Sequence, residues 1–173
     1  MKDKLLPSIA LGAICFVVAA LLALVHSFTE ERIEKNKIDE MNASLADVLP
    51  DHSGFEEVNK TADMPSSITL IKRSEQGGYV FNVVVNGKNT GMTVLIGITS
   101  DGKIAGTKCT ANNETPPYAK PVFDKTEAGY YVGMTEETFK DYIVSGSTLT
   151  SKAYAKAVKD ALLAFSILEG GDA

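Results

Sequence analysis

Histidine and cysteine are nearly absent: His26 and His52 are the only histidines, and Cys15 and Cys109 the only cysteines. A zinc or iron centre draws on several clustered Cys, His, Asp or Glu ligands, so no metal site is expected. Cys15 lies in an apolar N-terminal run and Cys109 in a predicted strand. A disulfide between them is therefore not expected, and both read as buried thiols. Basic residues are also short, 17 against 22 acidic ones. Beyond Val25 the balance is 15 to 21, a formal charge of −6. Nucleic acid needs a basic face to hold its phosphates, so it is not an expected partner. Glycine and proline are ordinary in amount, which excludes collagen-like and disordered classes. No internal repeat or low-complexity tract appears. With 173 residues, 45% of them hydrophobic, the chain suffices for one globular domain and an accessory segment.

That segment is N-terminal. Leu5 to Val25 is a run of 21 positions without charge. At about 1.5 Å per residue a helix there spans roughly 31 Å, the thickness of a bilayer's hydrocarbon core. Pro7 falls in the first turn, where its missing N–H does no harm. A cleaved signal peptide is the competing reading, but its apolar core is shorter and ends at a small-residue site. Val25-His26-Ser27 is a weak version of one, so an uncleaved anchor within residues 1–28 is expected. Lys2 and Lys4 before the span balance Arg32, Lys35 and Lys37 after it, leaving orientation undecided by charge.

Residues 29–65 read as a membrane-proximal helix and a linker. Thr29 is a reasonable cap, and Ile33, Ile38, Met41, Leu45 and Val48 recur at helical intervals up to Leu49, before Pro50. Asp51 to Pro65 is polar and weakly periodic. The predicted domain occupies residues 66–173. Strands are expected over Ser67–Lys72, Tyr79–Val85, Thr90–Thr99 and Lys103–Thr110, with turn signals at Asn86-Gly87 and Asp101-Gly102. A loop from Ala111 to Pro121 follows, then a short helix from Thr135. A last helix ends at Leu168, with Tyr154, Ala157, Val158, Ala161, Leu162 and Phe165 on its buried face. Strands followed by helices predict an α+β fold, an antiparallel sheet with packed helices behind one transmembrane helix.

The chemistry concentrates at the mouth of that last helix, in Ser145-Gly146-Ser147-Thr148-Leu149-Thr150-Ser151. Free N–H groups and the positive end of a helix dipole favour a phosphate there. An ordinary N-cap through Thr150 or Ser151 explains the same residue types. A serine or threonine nucleophile needs a nearby base. Neither histidine has a fitting context, and Lys152 is not three residues after a hydroxyl residue, as Ser-x-x-Lys requires. Glu114 with Asp124 or Glu127 as paired carboxylates is a weak signal against solvated loop acids. Tyr130 and Tyr131 suit a core better than a ligand cover.

The hydroxyl-rich segment resembles the Ser/Thr-Gly-Ala-Thr-x-Thr-Ser motif of the FMN-binding domain found in the G subunit of Rnf complexes and in the C subunit of sodium-translocating NADH:quinone oxidoreductases. The resemblance extends to the exit of the N-terminal span (Leu22 to Thr29), Gly78-Tyr79, the Val94–Gly106 hairpin, Glu114-Thr115-Pro116 and the final helix. In its compact length the chain is more similar to the Rnf protein. The resemblance implies FMN joined by a phosphoester to Thr148, installed by a separate flavin transferase. It further implies that Ser145, Gly146, Ser147, Leu149 and Thr150 surround the phosphate and that Glu114 and Thr115 approach the ring. The implied role is electron transfer beside other subunits of a membrane redox complex, with no catalysis by the chain on its own. The implied place is the bacterial cytoplasmic membrane, single-pass in the lipid bilayer, with the domain on the outer face. Three positions depart from the family pattern: Ser147 for alanine, Tyr142 for an aspartate, and Pro117-Tyr118-Ala119 for Gly-Leu-Gly. A flavin-free structural protein with the same fold is the alternative.

Overall fold

A computed structural model describes residues 12, 14–22 and 44–170. The chain divides into two units, residues 1–42 and 43–173. In the first, the described residues are helical and expose Ile14, Phe16, Val17, Val18, Leu21 and Leu22. Among the described residues no helix is long and apolar enough to cross a membrane. The rest of the Leu5–Val25 run, and the expected membrane-proximal helix up to residue 43, lie outside the described residues.

The second unit is built on a five-stranded antiparallel meander in the order β1-β2-β3-β4-β5. The strands are β1 (Glu56–Glu57), β2 (Ile68–Arg73), β3 (Tyr79–Val85), β4 (Met92–Ile98) and β5 (Ile104–Ala111). β-Branched and aromatic residues make these segments strand formers, and the period-2 alternation sorts their side chains between two faces. Tyr79, Phe81, Val83 and Val85 of β3 and Met92, Val94, Ile96 and Ile98 of β4 enter the main core. Val80 and Leu95 point the other way, into a smaller cluster. A register shift between Ile68 and Leu70 lets Ile68 and Ile71, three apart, both reach the main core.

Two helices cover the main face. α1 spans Pro116–Lys125 and continues into a π-helical turn, Thr126–Tyr130; α2 spans Thr148–Gly170. α2 buries Ala153, Tyr154, Ala157, Val158, Ala161 and Leu162 against the sheet. Phe165 is half-buried, its ring edge-on to Tyr79 at 5.8 Å. The alanines let the helix approach closely, and each fully buried Val, Leu, Ile or Phe contributes roughly 1.5–3 kcal/mol. The opposite face carries a helical turn, residues 44–48, which buries Leu45 and Val48 with Leu49. Gly97 and Gly106, paired across β4 and β5, leave its track open. A Cβ on Gly97 would stand 2.1 Å from the Val48 carbonyl oxygen.

Several expectations need correction. The stretch Asp51–Pro65, read as a link, contributes β1, which pairs Glu56 and Glu57 with Arg73 and Lys72. The expected loop Ala111–Pro121 is mostly helix. Pro116 and Pro117 occupy its first two positions, where no N–H donor is needed, and Pro121 is accommodated further in. No helix begins at Thr135: the chain makes only a turn, with the Thr135 N–H donating to Thr138 Oγ1 at 2.9 Å. The thiols are not both buried, since Cys15 is exposed and Cys109 half-exposed.

Candidate functional site

Three segments meet at the mouth of α2: the loop after β3, the entrance to α1, and the Ser145–Ser151 run. Ser147 occupies the N-cap position. Its carbonyl accepts the first intrahelical bond, from the Ser151 N–H at 2.9 Å, and its own N–H donates to the Val144 carbonyl at 3.0 Å. Neither Thr150 nor Ser151 caps the helix, because both already lie inside it. The N–H groups of Thr148, Leu149 and Thr150 thus form the first turn, where no carbonyl stands four residues back to receive them. Gly146, just before, has φ +81°, a left-handed conformation that favours glycine.

The hydroxyls of this run have separate assignments. Ser151 Oγ donates to the Ser147 carbonyl at 2.9 Å and accepts from the Val144 N–H at 3.1 Å, fixing the loop to the helix. Thr150 Oγ1 donates to Glu114 Oε2 at 2.5 Å, a bond in which both residues are buried. The other oxygen of Glu114 accepts the Asn89 N–H at 2.8 Å. Ser147 Oγ donates to the Tyr118 carbonyl in the first turn of α1. The hydroxyl that takes alanine's place in the family pattern is therefore directed at α1. Thr148 differs from all of these: it is exposed and its side chain has no partner among the described residues.

These residues surround a cavity of about 370 Å³, lined by Lys88, Glu114, Thr115, Tyr118 and residues 146–150. That volume is in the range of small-molecule and cofactor sites, about 300–1,000 Å³. All the sequence-derived site residues line it except Ser145, which is exposed outside the lining. Sequence reasoning missed Lys88, whose Nζ stands 5.7 Å from the Tyr118 ring centroid. It also missed the Tyr118 ring as a cavity wall. A lysine beside an Asn-Gly turn looks like ordinary solvated turn chemistry, and no spacing signal links it to a helix far along the chain.

The other sequence candidates lie elsewhere. Tyr131 is fully buried and stacks on Phe139 at 5.6 Å and Tyr154 at 6.2 Å, as a core residue does. Tyr130 packs on Tyr142 at 4.7 Å. Asp124 pairs with Lys120 at 2.8 Å, and Glu127 accepts the Cys109 N–H at 2.9 Å, so neither shares a site with the Glu114 carboxylate bonds. Burial, with Glu127 nearby, pushes the Cys109 thiol up to about 11. Among the described residues no group of three or more His, Cys, Asp or Glu could hold a metal ion.

Comparison with known proteins gives two family matches, the FMN-binding domain over residues 87–163 and the RnfG N-terminal region over residues 6–48. The first includes the Lys88 loop, Glu114, Tyr118 and the mouth of α2. The chain is 30% identical to the G subunit of the Na(+)-translocating ferredoxin:NAD(+) oxidoreductase complex of Acetobacterium woodii, over 86% of each chain. It is 25% identical to the G subunit of the proton-translocating ferredoxin:NAD(+) oxidoreductase complex of Clostridium ljungdahlii, over 91% of this chain and 89% of that one. A third relative, the G subunit of the ion-translocating oxidoreductase complex of Pseudomonas aeruginosa, is 26% identical over 95% of this chain and 89% of its own.

Proposed function

The chain belongs to the family of G subunits of ion-translocating oxidoreductase (Rnf) complexes, and from that membership and the cavity at Thr148 we propose that it is a flavoprotein carrying electrons within such a complex. Its FMN is held by a phosphoester to the Thr148 hydroxyl, added by a flavin transferase. The observation that carries this reading is the contrast along one helical turn: Thr148 is exposed and its side chain has no partner among the described residues, while Ser147, Thr150 and Ser151 are buried and committed.

The residues present fit the group. A phosphodiester keeps one negative charge, which the free N–H groups of the first turn and the helix dipole favour by about 0.3–1 kcal/mol at an exposed site. At Gly146 an added Cβ would meet nothing within 4 Å, so the backbone approach to Thr148 is open. Glu114 holds Thr150 and Asn89, binding the loop after β3 to the helix mouth beneath the cavity. When bound, the flavin supplies the redox chemistry; the protein supplies position and electrostatics. A covalent tether removes cofactor loss, which suits a group that passes electrons onward. No acid or base in the chain is required.

The proposed setting is a translocating membrane complex like those of the relatives, with neighbouring subunits as electron donor and acceptor. A single-pass anchor in the bacterial cytoplasmic membrane, with the domain on its outer face, is part of the same proposal and rests on the uncharged run Leu5 to Val25 and the family resemblance. The second reading is a flavin-free structural protein of the same complex. It is favoured by Tyr142, which stands where the family has aspartate and is packed on Tyr130. Intact mass of the full chain co-produced with an active flavin transferase separates the two. The expected result is the mass of one FMN less one water in the wild type and none in Thr148→Ala. An unmodified wild-type chain would select the structural reading.

A further inference from the structure

Lys88 lines the Thr148 cavity, yet it has no carboxylate partner among the described residues. The nearest acid in the lining is Glu114, whose Oε1 lies against Gly87, next to Lys88 in the chain. Both Glu114 oxygens are already engaged, by the Asn89 N–H and by Thr150 Oγ1. The ammonium rests instead over the Tyr118 ring, 5.7 Å from its centroid. An aromatic face attracts a cation through its quadrupole and leaves the charge uncompensated. Tyr118 is itself held at its carbonyl by Ser147, the residue before Thr148. The result is a cation at the cavity wall, over the ring of a residue whose main chain Ser147 ties to the mouth of α2, with its charge available to whatever fills the space.

Resting on the flavoprotein reading, we propose that Lys88, positioned by Tyr118, is the cation that raises the midpoint potential of the flavin. A flavin bound there would take one electron from a reduced donor, which would be oxidised in turn, and would so gain negative charge. The exposed Lys88 ammonium at the cavity wall would stabilise that charge, in a salt-dependent way, and so favour the reduced form. Lys88 acts on the equilibrium by charge; Tyr118 is a positioning residue, acting through Lys88.

The test is spectroelectrochemical titration of the full-length flavinylated chain in detergent, at about 0.01 M salt, where the screening length is about 30 Å. Intact mass is read first on the same samples. Lys88→Met is expected to shift the one-electron equilibrium about tenfold toward the oxidised form, about 59 mV more negative. Lys88→Arg keeps the wild-type value, and Tyr118→Leu moves it the same way as Lys88→Met by less. At about 1 M salt the gap between wild type and Lys88→Met closes, because screening shortens to about 3 Å. A flavinylated Lys88→Met chain with the wild-type potential at low salt overturns the inference and leaves the flavoprotein reading standing. A wild-type chain whose mass shows no flavin overturns both.

Discussion

At Gly97 the space beyond the backbone is taken by Val48, whose carbonyl oxygen would lie 2.1 Å from an added Cβ, whereas at Gly146 nothing lies within 4 Å. Both glycines sit beside a helix, one under the helical turn 44–48 and one before α2. On the first face the missing side chain lets two pieces of backbone pack. At the second the missing side chain leaves a left-handed turn and an open approach to an exposed hydroxyl. Packing has consumed the small residue in one place and left it unconsumed in the other. Space beside a helix mouth that the protein itself does not fill is where a ligand is to be sought.

Substitutions at the two ends of that comparison should separate cleanly. Gly97→Ala forces a Cβ into the Val48 main chain and should cost about 3 kcal/mol, read as a lower denaturation midpoint at unchanged slope. A stability within 0.5 kcal/mol of wild type, as an order-of-magnitude limit for a surface change, would mean that the turn 44–48 does not pack there. Glu114→Ala strands the buried Thr150 hydroxyl and the Asn89 N–H, an expected loss of about 2 kcal/mol by the same measurement. Glu114→Gln, which keeps an acceptor, should lose less. Gly146→Ala has room for its methyl but must hold φ near +81°, so a penalty of about 1 kcal/mol is expected from backbone strain alone.

The last prediction concerns Cys109 and pH. Burial raises its thiol from 9.0 to about 11. Above the ordinary thiol value the unfolded chain has released a proton that the folded chain retains, so stability is intact below about pH 9 and declines as pH rises through 11. Denaturant unfolding at pH 8 and pH 10.5 should show a smaller decline for Cys109→Ala than for wild type. Equal declines would place the alkaline sensitivity elsewhere, with Tyr131, which burial raises to about 12, as the next group to titrate.

What could be read from the sequence follows from how local each signal is. β3 was legible to the residue because Tyr79–Val85 is a β-branched and aromatic run bounded by Gly78 and Asn86. The Asp101-Gly102 hairpin was equally local, and Gly102 takes the positive φ that its turn requires. α1 was not legible: Pro116, Pro117 and Pro121 read as breakers, although two of them start the helix without cost. The turn at Thr135 misled in the opposite direction, since Thr138 satisfies the Thr135 N–H and no second turn follows. At the site, the hydroxyl-rich run and Glu114-Thr115 were visible as motifs, and the fold brings most of their residues to one cavity. Their division of labour was not visible. Which hydroxyl is buried, and that Lys88 and Tyr118 complete the wall, depends on contacts between segments distant in sequence.

Peptide-level mass spectrometry of the chain matured with its flavin transferase bears most directly on that division. Cleavage after Lys140 and Lys152 isolates residues 141–152, in which Ser145, Ser147, Thr148, Thr150 and Ser151 compete as attachment points. The account predicts one FMN phosphoester, and places it on Thr148. An adduct on any of the other four, or an unmodified peptide, would contradict it.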